Sequence, residues 1–95
     1  MKKLNIGLDF DGTVTADPET FKKIIKVFTD AGHYVHIVTM RYGSECDDIV
    51  RDFGDLVSTI VPTKRKAKDQ FCKDVGIAID FWIDDNPKAV HQDAS

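Results

Sequence analysis

Asp9-Phe10-Asp11-Gly12-Thr13 sets two carboxylates one residue apart at the end of a mostly apolar run, Leu4 to Phe10. Strand side chains alternate between faces, so Asp9 and Asp11 are expected to leave one face together while Phe10 points to the other. Gly12 marks the end of the strand, and open α/β sheets hold their ligands beyond the carboxyl ends of strands. Two adjacent carboxylates repel each other. The pair therefore asks for a metal, a shared proton or a cation brought from elsewhere in the chain. A turn in which Asp and Gly serve only backbone geometry would use the same residues. A second acidic pair, Asp84-Asp85, follows the apolar run Ile79 to Ile83, and a basic cluster, Lys64, Arg65, Lys66 and Lys68, follows Pro62-Thr63.

The elements that must position these groups alternate strand and helix. After the first strand, Asp17 caps a helix with Pro18 at its first position, and Phe21, Ile24, Ile25 and Phe28 recur at helical spacing up to Gly32. Tyr34 to Val38 forms a second strand that delivers Thr39. Ser44 is expected to cap a second helix with Cys46, Ile49, Val50 and Phe53 on its buried face and Gly54 at its end. Leu56 to Val61 is a third strand. Lys66 to Val75 is a helix burying Phe71, Cys72 and Val75, and Ile79 to Ile83 is a fourth strand. A last short helix fits Pro87 to His91. This order predicts one α/β domain over residues 1–95, a Rossmann-like three-layer sandwich whose minimal four-stranded sheet is mostly parallel.

Composition sets bounds on function. The 95 residues carry 13 Lys and Arg against 16 Asp and Glu, a net charge of −3, and hydrophobic residues make up 42%. Such a chain is an ordinary globular protein and not a general binder of nucleic acid or membrane surfaces. Cys46 and Cys72 have no metal-ligand spacing and fall on apolar faces, as free thiols of a reducing compartment would. No apolar stretch reaches signal-peptide or membrane-spanning length, so a cytoplasmic location and no membrane contact are expected.

In a parallel sheet the strand ends share one edge. Asp9, Asp11, Thr39, Asp84 and Asp85 should therefore converge there, with the basic cluster beside them. Four carboxylates in one crevice call for a hard divalent cation with oxygen ligands, Mg²⁺ above all. Lysines at a helix N-terminus oppose the macrodipole, and a bound phosphate would reverse that cost. A solvated basic face is the plain alternative.

Asp9-Phe10-Asp11-Gly12-Thr13 with Val14-Thr15 resembles the first motif of the haloacid dehalogenase-like (HAD) superfamily. Ile37-Val38-Thr39 resembles its second motif, a lysine near Lys68 its third, and Phe81-Trp82-Ile83-Asp84-Asp85 its fourth, so the resemblance spans residues 4–90. It implies phosphoryl transfer with Mg²⁺. Asp9 would be the nucleophile that forms an aspartyl-phosphate, and Asp11 would serve as acid and then base. The Asp9 carboxylate, the Asp11 backbone carbonyl and Asp84 would hold the metal, with Asp85 binding it through water or orienting the lysine. Thr39 and one lysine, Lys68 with Lys64 and Lys66 as alternatives, would hold the phosphoryl oxygens. Gly12, Arg41 and Lys64 are further candidates for the substrate side. Asp rather than Thr two residues after the nucleophile points to phosphatases and phosphomutases.

The spacing leaves no room for a cap domain, either after Asp11 or between Val61 and Lys66. A capless member either acts on a large open substrate, such as a nucleic-acid end, or borrows a lid from a second copy. A small phosphorylated substrate, nucleotides included, is the other expectation. The chain also stops soon after the fourth motif, which leaves a short sheet edge and favours self-association. A non-catalytic HAD-like module that binds metal and a partner is the competing reading. A phosphoryl-accepting receiver domain is disfavoured, because its acidic pair comes first and here the adjacent pair comes last. His36 and Trp82 read as packed residues, and His33 and His91 as loop and tail.

Overall fold

A computed structural model describes residues 2–94. Its first strand, β1, runs Asn5–Leu8, and helix α1 spans Pro18–Asp30. Asp17 caps α1 as the sequence predicts: its carboxylate accepts the Thr20 backbone N–H at 3.2 Å, and Pro18 opens the helix. β2 (Tyr34–Thr39), α2 (Asp47–Phe53), β3 (Thr59–Pro62), α3 (Lys68–Asp74), β4 (Phe81–Ile83) and α4 (Lys88–His91) follow. The sheet order is β3-β2-β1-β4 and every pairing is parallel. β1 is therefore central, flanked by β2 and β4.

Alternation along the strands sorts the core into two layers. Ile6, Leu8, Val35 and Ile37 face Ile25 of α1 and Ile49 and Phe53 of α2. On the other side Val38 and Val61 pack on Cys72 of α3, with Phe71, Ile79 and Trp82 against them. Helices thus cover both faces, the three-layer arrangement expected of a parallel sheet. Gly7 has a packing reason to lack a side chain, since a Cβ there would lie 2.6 Å from the Trp82 ring. Trp82, read from the sequence as a packed residue, is half-buried and packs against the core. Among the described residues no helix is long and apolar enough to cross a membrane.

Several element ends differ from expectation. β1 stops at Leu8 instead of Phe10, because Asp9 N–H makes one last bond, 2.9 Å to the Ile83 carbonyl, before the chain turns at Phe10. The two carboxylates consequently do not alternate off a single strand. Ser44 caps nothing; it lies in a 3-10 turn, Gly43–Glu45, and α2 starts after Cys46. Val50 and Val75 are exposed, not buried: the seven-residue α2 presses only one narrow face on the sheet, and α3 ends at Asp74, leaving Val75 beyond its last turn. Leu56 is also exposed, in the turn that precedes β3. α3 begins at Lys68, two residues later than predicted.

Candidate functional site

The carboxyl ends of β1 and β4 are neighbours in the sheet, and the acidic residues of each meet there. Asp9 and Asp84 both accept from the Lys68 ammonium, each at 2.7 Å, and all three side chains are almost fully buried. Lys68 reaches this point from the first residue of α3, across the β-sheet edge. Thr13 joins the third carboxylate. Its hydroxyl lies 3.0 Å from Asp9 and 3.2 Å from Asp85, and it accepts the Asp85 backbone N–H at 3.1 Å. A hydroxyl has one proton, so it can donate to only one of the two carboxylates at a time. Asn86 N–H fixes the other oxygen of Asp84 at 2.9 Å.

Gly12 allows this crowding. Its φ of +86° suits a residue without a side chain, and a Cβ there would meet an Asp85 oxygen at 2.5 Å. Gly12 therefore shapes the acidic group from below through its backbone.

The charges do not balance locally. One ammonium serves Asp9 and Asp84, and among the described residues no ion pair reaches Asp85. Burial foremost, then hydrogen bonding with Asp85, pushes the Asp9 carboxyl up to about 6 against the opposing pull of Lys68. Hydrogen bonding with Asp9, and then with Thr13, holds Asp85 below the ordinary carboxylate range. Oxygens of Asp9, Asp84 and Asp85 lie within 4.8 Å of one another. An all-oxygen donor set with surplus negative charge fits a hard divalent cation such as Mg²⁺.

Asp11 stands apart from this group. Its two oxygens face Arg41, which donates from Nε at 2.9 Å and from Nη2 at 2.7 Å. Arg41 is held from behind by Asp48 at 2.7 Å and the Glu45 carbonyl at 2.8 Å, and it lies over the Phe10 ring. Thr39, fully buried at the end of β2, accepts the Arg41 N–H at 3.3 Å and lines the same crevice.

Asp9, Asp11, Thr39, Arg41, Lys68 and Asp84 border a crevice of about 240 Å³. Of the three lysines the sequence left open, only Lys68 is there. Lys64 is exposed and does not border the crevice, and Lys66 turns to Asp93 at 3.9 Å. Arg65, read only as part of a basic run, does border it. Thr13, quoted in the first motif without a role, proves to link two of the carboxylates; its place directly after a turn glycine was the available signal. Nothing in the sequence announced Asp48 as the partner of Arg41. A larger cavity, about 430 Å³, runs along α1. It borders none of these residues, and lysines on its wall pair locally, Lys26 with Asp30 at 2.9 Å. The titratable cluster borders the smaller crevice.

In comparisons with known proteins, no family model, curated protein or solved structure matches the chain.

Proposed function

We propose that this chain is a Mg²⁺-dependent phosphohydrolase of the HAD type, which cleaves a phosphomonoester through an aspartyl-phosphate. The observation that carries the reading is the buried group at the sheet edge: Asp9 and Asp84 bridged by Lys68 at 2.7 Å, with Asp85 linked through Thr13. A carboxylate nucleophile, an ammonium beside it and a surplus of acidic oxygens are the parts that phosphoryl transfer requires.

Asp9 attacks phosphorus, and the bond to the leaving oxygen breaks as the acyl-phosphate bond forms. Lys68 keeps Asp9 and Asp84 in place and offers positive charge to the phosphoryl oxygens. The Thr39 hydroxyl donates to another of them. Asp11 protonates the leaving oxygen and then takes a proton from the water that releases phosphate, giving up a bond to Arg41 as it does so. Asp9, Asp84 and Asp85 would hold Mg²⁺, which would neutralise charge on the phosphoryl group as a Lewis acid. Without a cap, the crevice admits either a small phosphorylated compound or a nucleic-acid end, with a second copy of the chain as the candidate lid. The buried free thiols Cys46 and Cys72 suit a cytoplasmic setting.

One observation favours the alternative, a non-catalytic metal-binding interaction module: both oxygens of Asp11 are engaged by Arg41. Hydrolysis of an aryl phosphate with and without Mg²⁺ separates the two readings. We expect turnover that needs Mg²⁺ and falls by about a thousandfold or more in Asp9→Asn. A wild-type protein that neither turns over nor gains melting temperature with Mg²⁺ would be the interaction module.

A further inference from the structure

Three cations border the crevice, and two of them are already engaged. Lys68 bridges Asp9 and Asp84, and Arg41 spends its guanidinium on Asp11, Asp48 and the Glu45 carbonyl. Arg65 differs. Its nearest carboxylate among the described residues is Glu45 at 3.8 Å, beyond a direct hydrogen bond, and its side chain is 47% exposed.

The backbone is built to put Arg65 there. Lys64 and Arg65 both adopt left-handed conformations, φ +58° and +69°, in a turn without glycine. A side chain makes this conformation unfavourable, and strain of this kind persists only where the surroundings hold it. Here they do. Arg65 N–H and its Nη1 both donate to the Met40 carbonyl, at 3.0 and 2.9 Å, and its own carbonyl accepts Ala94 N–H at 2.8 Å. The guanidinium lies over the Tyr42 ring, 5.5 Å from its centre. One Nη1 contact to a carbonyl leaves Nε and Nη2 donors for an anion, and the aromatic face keeps the group from swinging away.

We propose that Arg65 binds a second anionic group of the substrate, next to the phosphate that is cleaved. The substrate class is then a phosphomonoester carrying a neighbouring phosphate, as in a nucleoside bisphosphate or the phosphorylated end of a nucleic-acid strand. This rests on the phosphohydrolase reading and extends it from the reacting phosphate to the rest of the substrate. It also replaces Lys64 by Arg65 as the basic residue of the β3–α3 turn that meets substrate.

The test compares wild type, Arg65→Gln and Lys23→Gln, the last removing the same charge on α1 outside the crevice. Substrates are an aryl phosphate, a nucleoside 3′,5′-bisphosphate and a 3′-phosphorylated trinucleotide. In Arg65→Gln we expect the KM ratio of the two-phosphate substrates over aryl phosphate to rise by about tenfold, the size of one lost charged hydrogen bond, with little change in kcat. Lys23→Gln should leave the ratio at the wild-type value. The bisphosphate and the trinucleotide separate a free metabolite from a strand end by which has the higher kcat/KM. An unchanged ratio in Arg65→Gln overturns the proposal. Calorimetric titration of the bisphosphate into the Mg²⁺-loaded protein decides the matter even if no substrate turns over. Binding weakened about tenfold by Arg65→Gln supports the anion site, and equal binding to both proteins refutes it.

Discussion

Two polar clusters, each built around a buried titratable side chain, sit on the same sheet, and they solve opposite problems. Near the amino ends of the strands, His36 of β2 lies between Thr59 of β3, 2.6 Å from Nδ1, and Asn5 of β1, 2.8 Å from Nε2. A neutral imidazole satisfies both neighbours there, with Nε2–H donating to Asn5 and Nδ1 accepting from Thr59. At the carboxyl ends, Asp9 and Asp84 share one ammonium, and Asp85 stands beside them linked through Thr13. Among the described residues no buried side-chain nitrogen or oxygen lacks a partner in either cluster. The difference is therefore one of charge. A satisfied neutral ladder registers strands, while a satisfied but over-charged group keeps an appetite for a cation.

The sharpest way to break the contrast is Lys68→Met. Removing the only ammonium leaves two buried carboxylates uncompensated, which costs about 3–5 kcal/mol. Urea unfolding should show that loss without metal, and Mg²⁺ should return part of it by binding the folded state. A variant as stable as wild type in the absence of metal would mean the cluster is not under charge stress.

Gly12→Ala acts on geometry with no change of charge. A methyl group 2.5 Å from the Asp85 carboxylate, on a backbone with φ of +86°, must displace that side chain. We expect about 1–2 kcal/mol of destabilisation and several-fold weaker Mg²⁺ binding by calorimetry. Unaltered Mg²⁺ affinity would remove Asp85 from the metal site.

The smallest effect belongs to the neutral cluster. Burial holds His36 below its ordinary value of 6.5, so the unfolded chain takes up a proton more readily than the folded one. Stability should fall as pH drops through about 6.5, by less than about 1.4 kcal/mol per pH unit, until the folded value is passed. The stability gap between wild type and His36→Gln should accordingly narrow between about pH 7.5 and pH 5. A gap that stays constant would show that His36 is not held neutral by its surroundings.

How much of this was legible in the sequence depends on which interactions are local. The strand and helix order, the Asp17 cap and the buried face of α1 follow from periodicity and capping, which act over a few residues. The ends of β1 and β3 do not, because a strand runs only as far as its neighbour pairs with it, and β4 offers β1 three residues. Val50 and Val75 read as core because an apolar residue at helical spacing gives no hint of how narrow the contact face of α2 will be, nor that α3 stops one residue before Val75. In the site, Asp9, Asp84, Asp85 and Lys68 could be named because each follows or opens an element. The pairing of Asp11 with Arg41 could not, since Asp48 anchors that arginine from another helix. Arg65 was hidden by a backbone conformation that Lys and Arg seldom adopt.

The central place of β1 has a consequence for timing. Asp9 ends the first strand, yet its partners lie far along the chain: Lys68 is 59 positions on, and Thr13 meets Asp85 across 72. Closing such long loops comes late, after nearer contacts have formed. A growing chain that has reached α3 can hold Asp9 and Lys68 but lacks the strand that brings Asp84 and Asp85. The crevice becomes whole only when β4 docks beside β1, so binding of a divalent cation by all three carboxylates would report complete assembly of the sheet.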